Sequence, residues 1–190
     1  MGRLTRESWI EAGFDVLRQA GEYALTIERL STALGRSKGS FYHHFRDMDD
    51  YLAAVLSTWE ERNTSMPISV AEREPDMRRR RSALDAAVKR LDGRLDLAIR
   101  AWGLRDARAR AHVAHVDARR IEYLSELLPR SLPRRRRLAL ARFEYGAFLG
   151  AQQLDPALGL PETRDAERLL EQALRALQKD IAAPSSTVKA

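Results

Sequence analysis

Residues 26–45, TIERLSTALGRSKGSFYHHF, predict two short helices joined by a tight turn, and this pair constrains the fold more than any other stretch. In the first helix, Thr26 suits the N-cap because its hydroxyl can accept a hydrogen bond from a free backbone N–H. Gly35 suits the left-handed C-cap, where a side chain would be strained. The first helix has one apolar face, because apolar residues recur at helical spacing at Ile27, Leu30, Ala33 and Leu34.

The second helix of the pair, predicted over Lys38–Phe45, divides into an apolar and a polar side. Ser37 can cap it, and Phe41 and Phe45 lie on its inner face. A helix-turn-helix needs this division, because the apolar side holds the angle between the helices while the polar side enters the major groove of DNA. An ordinary helical hairpin on a larger domain would share the bare pattern. The polar side carries Lys38, Ser40, Tyr42, His43 and His44.

The detailed order of residues here resembles the tetracycline-repressor (TetR) family of bacterial regulators. Residues 36–56, RSKGSFYHHFRDMDDYLAAVL, are similar to the second and third helices of that family and to the start of the fourth. The family combines a Ser/Lys/Gly opening, an aromatic-Tyr-x-His-Phe body and an acidic start to the next helix. The resemblance is tight over Thr5–Leu56 and loose afterwards. It implies an N-terminal DNA-binding domain and a C-terminal helical domain that dimerises and holds an effector pocket.

The same resemblance implies which residues contact DNA. Thr26 matches the position where the second helix meets a backbone phosphate, and Tyr42 and His44 match a pair that usually reaches phosphate. Met48 stands where many members place a lysine, and Arg46 is the candidate to replace that phosphate anchor. The predicted DNA contacts are Thr26, Arg36, Ser37, Lys38, Gly39, Ser40, Tyr42, His43, His44 and Arg46.

Positive charge that would favour an anionic partner is unevenly distributed along the chain. The 190 residues include 33 Lys and Arg against 27 Asp and Glu, which gives a net charge of +6. The stretch from Arg29 to Arg46 contains basic residues and no acidic residue. A local patch, rather than a basic domain, would therefore have to meet phosphate.

Several other classes of function find little support in the sequence. The chain has no cysteine, which excludes a disulfide framework and cysteine-based metal sites or nucleophiles. His112 and His115 could share a helix face, but a metal site needs a third convergent ligand, so we predict no metal or other cofactor. We recognise no catalytic arrangement and predict that the protein is not an enzyme. The sequence has no signal-peptide pattern, and no apolar run approaches the roughly 20 residues of a membrane span. We therefore expect a cytoplasmic protein with no membrane partner.

Helical periodicity is almost continuous, and the predicted fold class is all-α with about nine helices. Residues 1–47 are predicted to form a three-helix helix-turn-helix DNA-binding domain, and a helix over residues 48–63 is the predicted connector. Two prolines and several small or polar residues place a junction at 63–75. Residues 64–183 are the predicted C-terminal helical domain for ligand binding and dimerisation, and residues 184–190 a disordered tail.

Within the C-terminal domain, apolar spacing predicts a long helix that ends at Trp102 and contains Gly93. Asp106 is expected to start a short helix, and a second helix is expected to follow it up to Pro129. Two more helices are predicted, one over residues 134–154 and one from Thr163 or Asp165 onward.

A pocket and a dimer interface are predicted on the later helices. Trp102, Tyr123, Phe143 and Phe148 are the candidates to line an effector pocket, although core packing explains such aromatic residues equally well. Either Arg142 or Glu144 could supply one polar contact. From Leu138 to Ala151 the helix is apolar around most of its circumference, which predicts burial on two sides, by the subunit's own core and by a partner. The predicted interface is Phe143, Gly146, Ala147, Gly150, Leu170, Leu174 and Leu177; the alternative is the central helix of a single bundle.

Two classes of function remain open. The resemblance implies a ligand-responsive DNA-binding transcriptional regulator, most often a repressor that binds an inverted-repeat DNA operator as a homodimer and is released by a small-molecule effector. The alternative is an all-α adaptor or enzyme that uses the helical hairpin only structurally. Salt-dependent binding to inverted-repeat DNA would separate the two classes.

Overall fold

The computed structural model describes residues 5–155 and 159–182, and every regular element in these ranges is helical. The all-α fold class is therefore confirmed. The predicted tail at residues 184–190 lies outside the described residues. In chain order the elements are α1 (Arg6–Ala20), a 3-10 turn (Glu22–Ala24), α2 (Ile27–Leu34), α3 (Lys38–Tyr42), α4 (Met48–Glu60), a π-helical segment (Glu61–Ser65), α5 (Met66–Glu72), α6 (Met77–Val88), α7 (Gly93–Gly103), α8 (Ala107–Glu126), α9 (Arg134–Leu154) and α10 (Pro161–Ala182).

Side-chain caps begin the N-terminal helices where the sequence predicts them. Thr26 and Ser37 accept hydrogen bonds from the backbone N–H three residues further on, at 3.2 and 3.4 Å. Gly35 ends α2 with a φ of 62°, in the left-handed region that glycine adopts without strain. Asp47 caps α4 by accepting from the N–H of Asp50 at 2.8 Å. These caps satisfy backbone groups that a helix end leaves free, so they set the bounds of the helix-turn-helix.

Helix α3 ends at Tyr42, which is earlier than the predicted end at Phe45. The chain then tightens, because the His44 N–H donates to the Phe41 carbonyl at 2.9 Å, three residues back. The Phe45 N–H donates to the same carbonyl at 3.0 Å, and the Phe45 side chain is buried. The predicted apolar side of the second helix is therefore preserved although the helix is shorter.

An aromatic cluster holds the three N-terminal helices against α4. Trp9, Phe41, Phe45 and Tyr51 are each at most 2% exposed, and the Phe41 ring centroid lies 5.3–5.4 Å from the other three. The Tyr51 hydroxyl donates to the Trp9 carbonyl at 2.9 Å. A Cβ on Gly13 would overlap the Tyr51 hydroxyl and lie 3.1 Å from its Cζ atom. Gly13 is therefore required for the close approach of Tyr51 to α1.

Helices α4 and α5 form one continuous rod, joined by the π-helical segment. The junction predicted at 63–75 is wrong in this respect, since helical structure continues to Glu72. Pro67 lies in the first turn of α5, directly after the π-helical segment, where the Met66 N–H donates to the carbonyl of Glu61. In a regular helix the proline ring would clash with the carbonyl four residues earlier, and the wider π turn relieves that clash. The proline therefore marks a change of helix type and not a linker.

Two predicted helix boundaries in the C-terminal half are also wrong. The predicted long helix through Gly93 is broken, since α6 ends at Val88 and α7 begins at Gly93. Asp92 caps α7, because its carboxylate accepts from the N–H groups of Arg94 and Leu95 at 3.0 and 3.4 Å. Conversely, the two helices expected after Asp106 are one helix, α8, which runs without interruption from Ala107 to Glu126.

One buried core crosses the predicted boundary between the domains. Trp9 and Phe14 of α1 belong to the same apolar cluster as Ile99 and Trp102 of α7. Ion pairs reinforce this contact, including one between Arg18 and Asp92 and one of 2.7 Å between Arg105 and Glu22. The division into residues 1–47 and 64–183 stays a prediction, and α1 packs on both sides of it. Each described helix is too short or too polar to cross a membrane.

Candidate DNA interface and effector cavity

The outer side of α3 and of the turn after it is polar and accessible, as predicted. Tyr42 is 55% exposed, His43 is exposed and His44 is half-buried, while Phe41 and Phe45 point into the core. The Tyr42 ring stands edge-on to Phe41 at a centroid distance of 5.5 Å and an interplanar angle of 89°. A buried ring thus positions an exposed one. The remaining predicted contacts are also accessible: Thr26, Arg36, Ser37, Lys38, Gly39 and Arg46 are exposed, and Ser40 is half-buried.

Gly39 is not needed for packing within the subunit. Among the described atoms, a Cβ at this position would meet only the Ser37 hydroxyl oxygen, at an ordinary distance of 3.7 Å. The space beside Gly39 therefore opens outward, which favours the predicted close approach of a partner to this backbone.

Lys38 forms an ion pair with Glu28 across the helix-turn-helix, and sequence reasoning missed this contact. The Lys38 ammonium donates to a Glu28 carboxylate oxygen, and both side chains are more than half exposed. The hydrogen bond to Glu28 raises the pKa of Lys38, and the hydrogen bond from Lys38 lowers the pKa of Glu28. The two residues lie on different helices, so no helical spacing in the sequence indicates the pair. A phosphate that binds Lys38 must compete with this carboxylate.

Met48 and Arg46 differ in burial: Met48 contributes to packing, whereas Arg46 is exposed. Met48 is half-buried and packs against the aromatic core, which gives a structural reason for its apolar character. The Arg46 side chain is 84% exposed and lies 3.7 Å from a carboxylate oxygen of Asp50. Arg46 is therefore accessible for the phosphate contact that Met48 cannot make.

A cavity of about 300 Å³ lies in the C-terminal half, among α5, α6, α8, α9, α10 and the π-helical segment. Tyr123, Phe148 and Glu144 line it, in agreement with their predicted positions. Trp102 does not line it, because its ring is buried in the core between α7 and α1. Phe143 is 58% exposed and Arg142 is exposed, so both lie on the outer side of α9. The predicted lining is therefore wrong for Trp102 and Phe143, and ligand binding by Tyr123 and Phe148 stays a prediction.

A buried ionic network forms one wall of this cavity. Asp96, which is 3% exposed, accepts from Arg100 at 2.7 Å and from Arg120 at 3.2 Å. Arg100 also binds both carboxylate oxygens of Asp117, at 2.7 and 3.1 Å. The Tyr145 hydroxyl donates to Asp117 at 2.7 Å and accepts from both arginines. Burial raises the pKa of Tyr145 to about 12, so its hydroxyl stays protonated at neutral pH.

Arg120 connects this network to the rod that leads to the DNA-binding helices. Its guanidinium donates to the Thr64 hydroxyl at 2.9 Å and to the Asn63 carbonyl at 3.1 Å. Both residues lie in the π-helical segment, and both line the cavity. The cavity wall and the rod are therefore joined by direct hydrogen bonds.

The two histidines considered as metal ligands contact a glutamate on α4. His112 and His115 have ring nitrogens 2.9 and 3.5 Å from the Glu60 carboxylate, which also accepts from Arg119 at 2.6 Å. Asp117 is engaged by Arg100 instead. Within residues 5–155 and 159–182, no group of three or more His, Asp or Glu side chains is placed to hold a metal ion. The cluster thus links α8 to α4.

The predicted dimer residues fall into three groups. Phe143, Gly146 and Gly150 form an exposed stripe on α9. Ala147 and Leu170 line the cavity, and Leu170 packs on the small core at the end of α8, so both belong to the interior of the subunit. The side chains of Leu174 and Leu177 lie outside the described part of the structure.

Comparisons with known proteins agree with this architecture. Residues 10–55 match the family model for bacterial regulatory proteins of the tetR family. A curated relative, the uncharacterised HTH-type transcriptional regulator YwcC of Bacillus subtilis (strain 168), is 42% identical over 52 residues. That alignment spans 27% of this chain and 23% of the relative, so the likeness covers about a quarter of either protein.

Solved structures extend the likeness in fold to nearly the whole chain. A transcriptional regulator from Rhodococcus sp. Rha1 superposes with a TM-score of 0.68 at 22% identity and covers 94% of this chain and 96% of its own. A TetR-family transcriptional regulator from Streptomyces coelicolor gives a TM-score of 0.69 at 16% identity, with coverage of 94% and 96%. Over residues 10–55 the chain is similar to the TetR family of bacterial regulatory proteins, and over nearly its whole length it shares the fold of the two solved structures.

Proposed function

We propose that the protein is a transcriptional regulator that binds an inverted-repeat DNA operator as a homodimer and is released by a small-molecule effector. The exposed face of α3 carries the DNA-binding part of this proposal. It presents Lys38 and Tyr42 outward, with His43 directly after the helix, within the segment that matches the family and on a scaffold fixed by buried aromatic rings. This arrangement suits a recognition helix in a major groove.

Dimerisation through α9 and α10 is supported by their exposed apolar surface. Phe143 on α9 and Leu169 on α10 are 58% and 65% exposed. At Gly146 and Gly150, a Cβ would meet no atom of the described residues within 4 Å, so the packing that the structure describes gives no reason for glycine at either position. Small residues on an exposed apolar stripe allow a second helix to approach closely. A two-fold axis there would give each dimer two α3 helices, which must match half-sites about 34 Å, or a multiple of it, apart.

Effector release is supported by the position of the cavity on the rod. Asn63 and Thr64 line the cavity at one end, while α4 packs against the aromatic core of the DNA-binding helices at the other. A ligand with different affinities for two orientations of this rod would shift the population between them. The separation of the two α3 helices would change with it, and the dimer would no longer match its operator.

Selection of bound fragments from genomic or random DNA tests the DNA-binding part and reveals the symmetry of the operator. On the selected operator, we expect Tyr42→Ala and Lys38→Ala to weaken binding without lowering the melting temperature, because both side chains are exposed. Lys38→Ala should also reduce the slope of log K against log salt by about one unit. Arg90→Ala, which removes one positive charge from the exposed turn after α6, is the matched control and should bind like the wild type. Equal affinities and slopes for Lys38→Ala and Arg90→Ala would exclude a phosphate contact by Lys38.

Light scattering at micromolar concentration tests the dimer. Gly150→Leu should convert the protein to a monomer, because each substitution places two new side chains at a two-fold interface, and overpacking costs about 1–3 kcal/mol for each. The matched control is Ala114→Leu, on the exposed face of α8, which should remain dimeric. A monomeric wild type would refute the dimer, and a dimeric Gly150→Leu variant would place the interface elsewhere.

A further inference from the structure

The charged side chains around the cavity are balanced and engaged with each other. Arg81 donates to Glu144 and lies 3.1 Å from Asp85, and Arg120 binds Asp96 at 3.2 Å. Lys89, the remaining cation of the lining, also has an interaction partner. Within the described part of the lining, three cations therefore face three carboxylates. A charged ligand would have to break one of these pairs and leave a buried charge without its counter-ion, which is costly.

Two polar groups of the lining have no hydrogen-bond partner among the residues that the structure describes. The Tyr123 hydroxyl and the Gln152 side-chain oxygen make no hydrogen bond, although the two residues are only 8% and 4% exposed. Both line the cavity, from α8 and from the last turn of α9. Burial raises the pKa of Tyr123, so its hydroxyl keeps its proton and can both donate and accept. A buried polar group without a partner costs about 1–3 kcal/mol, so these positions favour a ligand that satisfies them.

Apart from Asn63, Thr64 and Tyr145, the remaining residues of the described lining are apolar, and most of them come from five helices. Pro67 and Ile68 of α5, Leu84 and Val88 of α6 and Phe148 of α9 contribute aliphatic and aromatic surface. A volume of about 300 Å³ lies at the small end of ligand cavities. The space therefore suits a compact apolar body, and Tyr123 and Gln152 offer it hydrogen-bonding groups that no described residue engages.

From these observations we propose that the cavity takes an uncharged, mainly apolar small molecule whose hydroxyl or amide group hydrogen-bonds to Tyr123 and Gln152. This inference deepens the proposed function and rests on it only in identifying the cavity as the effector site. The ionic pairs select against acids and amines of the same shape, because they leave no unpaired charge to receive them. The two orphan groups select for a ligand that can donate a hydrogen bond, since the Gln152 oxygen is an acceptor.

A series of naphthalenes that differ in one substituent tests the ligand class on the full-length protein without DNA. Calorimetry at pH 7 should show 2-naphthol binding at least about tenfold more tightly than 2-naphthoate or 2-naphthylmethylammonium. Equal or tighter binding of either charged compound would overturn the proposal. Binding of none of the compounds at millimolar concentration would overturn it as well. Because DNA is absent, these results are independent of the DNA-binding experiment.

Two variants test the assigned hydrogen bonds. Gln152→Leu and Tyr123→Phe should each weaken 2-naphthol binding about fivefold to tenfold and leave the binding of naphthalene, followed by its fluorescence, unchanged. The matched controls are Gln153→Leu, at the exposed neighbour on α9, and Tyr23→Phe, at a tyrosine that is 78% exposed. Both controls should bind 2-naphthol like the wild type. Unchanged affinity in Gln152→Leu and Tyr123→Phe, or an equal loss for naphthalene, would overturn the assignment.

Discussion

Phe41 and the three buried aromatic rings around it pack at centroid distances of 5.0–5.4 Å, whereas the buried contacts around Asp96 are ion pairs and hydrogen bonds of 2.7–3.2 Å. The N-terminal helices are thus stabilised by shape and apolar burial, and the wall of the cavity by matched charges. Apolar packing tolerates small losses one at a time, because each contact is weak. A buried ionic network is less tolerant, since removing one member leaves another charge unpaired. The two halves of the chain should therefore respond differently to single substitutions.

The largest effect is expected for the ionic network. Asp96→Ala should destabilise the protein by about 3–5 kcal/mol, because Arg100 and Arg120 lose the carboxylate that they share. Denaturant unfolding monitored by circular dichroism measures this loss. As a control, Glu122→Ala breaks an exposed pair with Arg134 and should cost about 1 kcal/mol or less. Equal losses in the two variants would contradict the distinction between buried and exposed pairs.

The next effect concerns the close contact in the aromatic core. Gly13→Ala should cost about 1–3 kcal/mol, because the new methyl group overlaps the Tyr51 hydroxyl. In a Tyr51→Phe background the overlapping atom is gone, so the same substitution should cost less. A double-mutant cycle by denaturant unfolding measures this coupling. Strict additivity would mean that Tyr51 is not the group that requires glycine at position 13.

The smallest effect is expected at the surface of the helix-turn-helix. Glu28→Gln should strengthen operator binding on the order of threefold at low salt, because it frees Lys38 and removes a negative charge near the phosphates. The gain should disappear as salt is raised. Glu72→Gln, at the exposed end of α5, removes the same charge far from α3 and serves as the control in fluorescence anisotropy. Weaker binding by Glu28→Gln would show that the pair positions Lys38 for DNA and does not compete with it.

The N-terminal helices were predictable because their signals are local. Each cap of α2 and α3 lies within a few residues of the N–H that it binds, and the buried Phe41 and Phe45 recur at helical spacing. Local signals also existed for two features that were missed. Asp92, directly before Gly93, is a favourable N-cap residue for α7. Pro67 indicates the end of a helix only if the turn before it is assumed to be regular α-helix.

The cavity could be predicted only in part, because its construction depends on contacts between distant residues. Tyr123 and Phe148 were placed correctly as aromatic residues on inward faces, while the equally aromatic Trp102 fills the core beside α1. From the sequence alone, charged residues such as Asp96 and Arg120 would be expected on an exposed surface. They can be buried only because the fold pairs them, although they lie 24 positions apart in the chain. The ion pair of Lys38 with Glu28 was missed for the same reason.

The shared core determines which part of the chain could be transplanted between regulators. If residues 1–47 were exchanged with those of another protein of this fold, α1 would be separated from α7. Ile99 and Trp102 would then pack against foreign side chains. A graft limited to residues 26–46 exchanges α2, α3 and the turn after them, while α1 keeps its contacts with the recipient's own scaffold. The grafted Phe41 and Phe45 must then fit the recipient's side chains at the positions that correspond to Trp9 and Tyr51. The segment that can be exchanged without disturbing the shared core is therefore shorter than the predicted DNA-binding domain of residues 1–47.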